Sequence, residues 1–373
     1  MLEFVIPCLL GLESLVGDEV RKLGLGDARV ENGRVLCRGE ARDIARLNIN
    51  LRCGARVILV LHKFRATDFE ALFQGVRAVH WEDWIPREGE FPVVGYSINS
   101  TLHSVPACQS IVKKAVVDRL SAAYGLAQLP ETGRRYQVRF SIMKDEVTVG
   151  LDTSGEGLYK RGYRAHGVAA PLKETLAAAM VKLSHYNGRD PFCDPFCGSG
   201  TIAIEAALIA RNRAPGLNRS FSAQHWRSLE RDIWLDAADE AMDNEFHDKT
   251  YEIWGGDIDP DAVALARHNA ELAEVDDIVK FEVDDATRFH WGGLYGRIVT
   301  NPPYGERLLE REEAGELYRA FGKATDKLPD TWRVYVLSSH PDFERCYGKF
   351  ADKKRKLYNG MLKCDLFMYG KRV

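Results

Sequence analysis

Four residues near the end of the chain, Asn301, Pro302, Pro303 and Tyr304, form the segment whose chemistry is easiest to interpret. They follow Arg297–Thr300, a short run with an apolar centre that predicts a buried strand, so the turn should lie at the strand's carboxyl end. Two successive prolines fix two φ angles and remove two backbone donors, which leaves carbonyl groups and the Asn301 amide as acceptors. Such a turn suits the exocyclic amine of a nucleobase, and the Tyr304 ring could stack on the base.

A glycine-rich loop, residues 194–201, separates a predicted strand ending at Cys193 from a predicted helix beginning at Thr201. Gly198 and Gly200 permit a tight turn and let a ligand approach the free amides of the helix N terminus. The spacing also fits a dinucleotide fingerprint, but the acid expected about 20 residues later is missing. The next acid at a strand end is Asp257, so the loop alone leaves the cofactor open.

Acids follow the next two predicted strands. Asp257 could accept hydrogen bonds from ribose hydroxyls while Ile258 packs on an adenine face, and Asp285 could accept from an adenine amino group. Either acid could instead be a helix N-cap. Because ligands bind at the carboxyl ends of the strands in open α/β sheets, we expect all four motifs to line one crevice.

Composition and length place the chain in a broad class. Its 373 residues, 45% hydrophobic and 28% charged, are typical of about two globular domains. No apolar run approaches the roughly 20 residues that span a bilayer, and the acidic Glu3 argues against a signal peptide, so a cytoplasmic location and no membrane partner are expected. Cys193 and Cys197 lack a second pair at zinc spacing, so no metal is expected.

Charge is distributed unevenly along the chain. Residues 1–170 contain 23 Lys and Arg against 20 Asp and Glu, whereas residues 171–373 contain 28 against 34. The first half therefore has a modest basic bias, with Lys113, Lys114 and Arg139 as candidate phosphate contacts.

The predicted elements change character near residue 170. The first half mixes short strands and helices in an α+β pattern, and residues 152–170 have the Gly, Ser and charge content of a linker. From residue 171 onward strands and helices alternate regularly and end in a hairpin. That alternation predicts a doubly wound, mostly parallel sheet.

The motifs described above resemble those of class I S-adenosylmethionine-dependent amino methyltransferases. Three further segments, residues 102–114, 170–178 and 214–226, are similar to THUMP-containing RNA methyltransferases. The resemblance covers essentially the whole chain and is greatest to the bacterial branch that includes the large-subunit rRNA guanine 2-amino methyltransferase domain. An insert, residues 211–248, departs from generic methyltransferase spacing but is similar to this branch.

The resemblance implies an organisation and a set of ligands. The expected fold is a Rossmann-like class I methyltransferase sheet with an N-terminal α+β region. The expected domains are a ferredoxin-like part (1–54), a THUMP RNA-binding domain (55–155), a linker (156–170) and a methyltransferase domain (171–373). The implied cofactor is S-adenosylmethionine, which yields S-adenosylhomocysteine. The implied partner is RNA, rRNA first and tRNA second, with no obligate protein partner evident.

The resemblance also assigns site residues, with the Asn-Pro-Pro-Tyr turn as the catalytic segment. The expected cofactor contacts are Asp194, Pro195, Phe196, Gly198, Gly200, Thr201, Asp257, Ile258, Asp285, Ala286, Lys173 and Thr175. Of these, Lys173 could equally be a surface charge of a helix.

The predicted activity is methylation of the 2-amino group of guanine in 23S rRNA. The turn does not distinguish this amine from the 6-amino group of adenine, so two alternatives stay open: a tRNA guanine-N2 methyltransferase, and an N6-adenine methyltransferase acting on RNA or DNA. A non-catalytic RNA-binding protein is disfavoured by the intact acids. An NAD-dependent oxidoreductase is disfavoured by the missing acid spacing and by the turn itself.

Overall fold

A computed structural model describes residues 1–164, 172–305 and 308–370 of the chain. The chain divides into two compact units. The first unit comprises Met1–Cys8, Val16–Leu158 and Arg219–Glu240, and the second comprises Leu9–Leu15, Tyr159–Asn218 and Ala241–Val373. Part of the insert recognised in the sequence, residues 219–240, therefore belongs to the first unit.

Strands and helices of the first half follow the α+β pattern expected from the sequence. In chain order they are β1 (Leu2–Pro7), α1 (Glu13–Lys22), β2 (Arg29–Glu31), β3 (Arg34–Gly39), α2 (Arg42–Asn50), β4 (Ile58–Arg65), α3 (Phe69–Arg77), β5 (Val93–Ile98), α4 (Val105–Tyr124), β6 (Val138–Met143) and β7 (Glu146–Asp152). The seven strands form one sheet in the order β2-β3-β1-β4-β7-β6-β5. In this sheet β5 and β6 pair in parallel, and the other neighbouring strands pair antiparallel. In β6, Val138, Phe140 and Ile142 are buried at the alternating positions that a half-covered strand requires.

The second half is built on the predicted doubly wound sheet. Its elements are α5 (Glu174–Leu183), β8 (Phe192–Asp194), α6 (Thr201–Ala210), α7 (Asp232–Asp243), β9 (Ile253–Asp257), α8 (Pro260–Leu272), β10 (Val279–Val283), β11 (Arg297–Thr300), α9 (Leu308–Thr325), β12 (Arg333–Ser338), α10 (Phe343–Tyr347), β13 (Lys353–Asn359) and β14 (Leu362–Tyr369). The strand order is β10-β9-β8-β11-β12-β14-β13. Strands β8 to β12 pair in parallel, and β14 pairs antiparallel with both β12 and β13. The expected Rossmann-like methyltransferase sheet is confirmed.

The described part of the predicted linker region is packed rather than solvated. Asp152 is fully buried and forms ion pairs at 2.8 Å with both Arg56 and Arg139. Arg161 is also buried and lies 3.3 Å from the buried carboxylate of Glu205. The sequence predicted a linker from the Gly, Ser and charge content of this stretch. Composition does not show that the charged residues have ion-pair partners elsewhere in the chain. Residues 165–170 of the predicted linker lie outside the described part of the chain.

Candidate active site

One cavity of about 680 Å³ lies at the carboxyl ends of β8, β9, β10 and β11, in the second unit. Lys173 and residues from all four predicted motifs line it, the latter being Pro195, Phe196, Gly198, Asp257, Ile258, Asp285, Ala286, Asn301, Pro302, Pro303 and Tyr304. Four other predicted contacts, Asp194, Gly200, Thr201 and Thr175, are buried and outside the lining set. The motifs converge because these four strands are neighbours and parallel, which brings their carboxyl ends to one edge of the sheet.

The two glycines of the loop have different physical roles. The Gly198 amide donates to Asp257 Oδ2 at 2.9 Å, and a Cβ at Gly198 would meet open space. Gly200 has a φ of 82° at the N-cap of α6, and a Cβ there would lie 2.8 Å from Phe281 and 2.9 Å from Ala266. Gly198 therefore leaves room for a ligand at the backbone, whereas Gly200 allows α6 to pack closely on its neighbours.

Asp194 lies behind the glycine loop and is almost completely buried. One of its carboxylate oxygens accepts from Thr300 Oγ1 at 2.6 Å and from the Phe196 amide at 3.3 Å. The other oxygen has no hydrogen-bond partner among the described residues. Burial raises the pKa of Asp194 to about 7, against the effect of these two donors.

The two acids at the ends of β9 and β10 differ in what they bind. Asp257 accepts from the Gly198 amide and, at 3.1 Å, from the Asp259 amide, and it is Asp259 that caps α8. Asp285 is the N-cap of a short 3-10 helix, Ala286–Arg288. Its carboxylate accepts hydrogen bonds from the Thr287 amide at 2.9 Å and from the Thr287 hydroxyl at 2.7 Å. These hydrogen bonds lower the pKa of Asp285. Asp285 is therefore a helix N-cap, although it also lines the cavity. Asp257 is not an N-cap.

Two further lining side chains are available to a ligand. Ile258 is 72% exposed although it is a large apolar residue, so its side chain offers an apolar surface at the cavity. The Lys173 ammonium lies 5.0 Å from the centre of the Tyr159 ring, at the N-cap of α5. The cavity thus combines an apolar contact, two carboxylates and one cation.

The Asn-Pro-Pro-Tyr turn is held by hydrogen bonds from its own tyrosine and from α9. The Tyr304 hydroxyl donates to Asn301 Oδ1, and the Tyr318 hydroxyl donates to the Pro303 carbonyl at 2.5 Å. Burial raises the pKa of Tyr304. An amide oxygen has two lone pairs, so Asn301 can still accept a second hydrogen bond.

The sequence did not identify four of the residues that line the cavity: Leu317, Asn359, Gly360 and Leu362. Leu317 belongs to α9, and the other three form the tip of the β13–β14 hairpin. The hairpin was predicted, but its place was not. Because β14 pairs antiparallel with both β12 and β13, the tip lies at the same edge of the sheet as the strand carboxyl ends. The local sequence pattern of the hairpin does not show that β14 pairs with β12.

Two of the three predicted phosphate contacts have acidic partners in the first unit. The Lys113 ammonium lies 2.7 Å from Glu131, and Arg139 is one of the two arginines paired with buried Asp152. Burial lowers the pKa of Arg139. Lys114 is exposed, with its ammonium 5.7 Å from the Phe73 ring. A phosphate at Lys113 or Arg139 would have to compete with a carboxylate already in place.

Residues 1–164, 172–305 and 308–370 contain no group of three His, Cys, Asp or Glu side chains that could hold a metal ion. In the same part of the chain, no helix has the length and apolar character needed to cross a membrane.

The sheet order, the glycine loop and the acid at the end of β9 together define a class I methyltransferase. Residues 161–367 match the RMKL-like methyltransferase domain family, residues 3–58 the RlmL ferredoxin-like domain and residues 66–152 the THUMP domain. The chain belongs to the RMKL-like methyltransferase family. This set of domains is that of S-adenosylmethionine-dependent RNA methyltransferases.

Known relatives match over nearly the whole chain. One is "Putative RNA methyltransferase YpsC" of Bacillus subtilis (strain 168), 45% identical over 366 residues that span 98% of this chain and 94% of that protein. Another is a predicted N6-adenine-specific DNA methylase from Listeria monocytogenes str. 4b F2365, with 47% identity, a TM-score of 0.93 and coverage of 99% and 96%. A third is SMU.472 crystallised with S-adenosylhomocysteine, with 42% identity, a TM-score of 0.91 and coverage of 100% and 99%.

The cavity fits the cofactor of this fold, S-adenosylmethionine. Gly198 leaves its backbone open to a ligand, and Ile258 offers an apolar surface to a planar base. The carboxylate oxygen of Asp194 that has no partner among the described residues lies in the same loop and suits the cationic end of the ligand.

Proposed function

We propose that this protein transfers a methyl group from S-adenosylmethionine to the exocyclic 2-amino group of a guanine in RNA. Large-subunit (23S) rRNA is the first candidate substrate and tRNA the second. The observation that carries the proposal is the meeting of the glycine loop and the Asn-Pro-Pro-Tyr turn in one cavity. The THUMP domain and the name of the YpsC relative support RNA, and the resemblance to the guanine-methylating branch supports guanine.

In this proposal the acids of the cavity hold the cofactor. Asp257 accepts the ribose hydroxyls, Asp285 accepts the adenine amine with its remaining lone pairs, and Ile258 packs on the adenine face. Asp194 and Gly198 hold the methionine end. The bound cofactor supplies an electrophilic methyl group on its sulfonium. Thr175 is given no role here, because it is buried in α5 and does not line the cavity. Asp194 is also buried and outside the lining, and it is assigned because one of its carboxylate oxygens has no partner among the described residues.

The turn positions the nucleophile. Asn301 Oδ1 and the Pro302 carbonyl accept hydrogen bonds from the target amine, which directs its lone pair toward the methyl group and stabilises the positive charge that develops on nitrogen. No acid or base of matched strength is needed, because holding the amine in line supplies most of the rate enhancement. The proton lost from the methylated amine passes to solvent.

Tyr304 provides a surface for the target base. Its hydroxyl bond to Asn301 fixes the orientation of the ring, which lines the cavity and can stack on a base that has left its helix. Stacking of this kind contributes about 1–3 kcal/mol per base.

The substrate is best identified from nucleosides. Mass spectrometry of nucleosides from rRNA and tRNA fractions, prepared with and without the gene, should show loss of N2-methylguanosine from one fraction. Loss of N6-methyladenosine would instead establish the adenine alternative, which the Listeria relative's name favours. Unchanged nucleosides in both fractions would contradict the proposal.

The role of the turn is tested by Asn301→Ala. Turnover should be lost while S-adenosylhomocysteine binding, measured by calorimetry, is retained. Asn187→Ala, at an exposed asparagine of the same unit outside the cavity lining, is the matched control and should keep wild-type turnover. Normal turnover by Asn301→Ala would remove this residue from the mechanism.

A further inference from the structure

The β13–β14 hairpin ends in a tight two-residue loop, Gly360 and Met361, closed by the pair Asn359 and Leu362. Gly360 has a φ of 65° and Met361 has an ordinary negative φ, as a type II′ turn requires. The Met361 side chain is 100% exposed. This turn type fixes the backbone that carries a fully exposed apolar side chain at the tip of a hairpin.

The loop stands at the rim of the catalytic cavity. Its residues Asn359, Gly360 and Leu362 line the cavity, as Tyr304 does. The strands behind the tip are anchored, since the cross-strand pair of Leu357 and Cys364 is buried. A single exposed methionine needs no explanation in itself. Met361, however, stands at the entrance of the cavity that receives the target base under the proposed function, so its exposure there calls for an explanation.

Basic side chains accompany the tip. Lys356 and Lys363 are exposed on the two strands that lead to the loop. Lys354, further from the tip, is paired with Glu344 at 2.8 Å. Phosphates on either side of a base that approaches the cavity would find cations next to the apolar tip.

We propose that Met361 is a wedge that enters the base stack of the RNA and fills the gap left when the target base moves into the cavity. The inference rests on the proposed function, since only a nucleic-acid substrate has such a stack. A stacked or paired base cannot bring its amine to Asn301, so it must first be extruded. Apolar side chains, methionine among them, stabilise unstacked steps by replacing the missing base contacts. A wedge of this kind acts only on a target nucleotide that is stacked within a helix of the folded RNA.

The test compares two forms of the RNA fragment that carries the modified nucleotide. In one form the target has its native partner, and in the other that partner is deleted so that the target is already unpaired. Met361→Ala should reduce kcat/KM about tenfold on the helical form and leave it unchanged on the unpaired form. Met361→Leu should restore activity. Phe350→Ala, at an 86% exposed aromatic residue at the opposite end of the hairpin, is the matched control and should behave as wild type.

Three results would overturn the wedge: wild-type turnover by Met361→Ala on the helical form, an equal loss on both forms, or a target nucleotide that is unpaired and unstacked in its native RNA. Each variant should bind S-adenosylhomocysteine like wild type, because Met361 does not line the cavity. A wild-type enzyme inert toward both RNA forms and all cellular RNA fractions contradicts the proposed function itself, which separates that failure from a failure of the wedge.

Discussion

The buried carboxyl group of Asp194 couples the stability of the methyltransferase unit to pH. Burial raises its pKa from an ordinary 3.8 to about 7, so the native protein retains a proton that the unfolded chain releases. The stabilising contribution of Asp194 is therefore complete below about pH 3.8 and is lost as the pH rises through about 7. Between about pH 6 and pH 8 this one group should lower the free energy of unfolding by about 1.4 kcal/mol, the equivalent of one pKa unit.

Urea unfolding of wild type and Asp194→Asn at these two pH values measures the effect. The asparagine does not titrate, so the difference between the two proteins should change by about 1.4 kcal/mol across the interval. Asp330→Asn, at an exposed aspartate, is the control and should keep the wild-type dependence. Affinity for S-adenosylhomocysteine should also weaken below pH 7 in wild type only, because its ammonium favours the ionised carboxylate. Parallel stability curves for wild type and Asp194→Asn would refute the reasoning.

Other substitutions separate roles that the structure distinguishes. Gly200→Ala should lower the free energy of unfolding by about 2–4 kcal/mol, through its positive φ and the overlap of Cβ with neighbouring side chains. Gly198→Ala should cost only about 1 kcal/mol in urea unfolding but weaken cofactor binding in calorimetry. Tyr304→Ala should reduce kcat/KM for RNA at least about tenfold, whereas Tyr304→Phe should stay within about threefold of wild type. Lys114→Ala should lower the slope of log affinity against log salt by about 1, whereas Arg139→Ala should lower stability and leave that slope unchanged. Equal instability of both glycine variants, an inactive phenylalanine variant or a reduced slope for Arg139→Ala would contradict the corresponding assignment.

Elements with strong local signals were predicted to the residue. The glycine before Thr201 and the apolar run that follows predict a buried helix from Thr201 to Ala210, and these are the bounds of α6. Strand β11, Arg297–Thr300, is likewise where the sequence placed it. In both cases the determining information lies within a few residues of the element.

Elements in charged surroundings were missed or shortened. Helix α7 was not predicted, although Trp234, Ala237 and Ala241 are buried at helical spacing, because the flanking residues of the insert are mostly polar. The apolar pattern of the sequence predicts a helix from Leu317 to Leu328, whereas helix α9 begins at Leu308 and ends at Thr325. The acidic residues near its start obscure the apolar periodicity that identifies a helix.

Contacts between distant parts of the chain were beyond sequence reasoning. The pairing of Lys113 with Glu131 and of Arg139 with Asp152 depends on how strands and helices meet, which no local pattern specifies. The placement of the β13–β14 tip at the cavity likewise depends on which strand β14 pairs with. The motifs of the site could be predicted because each is a contiguous stretch of sequence. The residues that complete the site could not be predicted, because they come from separate parts of the chain.

Two buried polar atoms without a hydrogen-bond partner among the described residues lie in or beside the glycine loop. Asn269 donates to the Ser199 carbonyl at 2.9 Å and so holds the loop, yet its own side-chain oxygen, like one oxygen of Asp194, has no partner among the described residues. A buried polar atom without a partner costs about 1–3 kcal/mol. At Asp194 the ammonium of a bound cofactor would supply the missing partner and recover that cost. Cofactor binding should for this reason raise the thermal stability of the methyltransferase unit more in wild type than in Asp194→Asn.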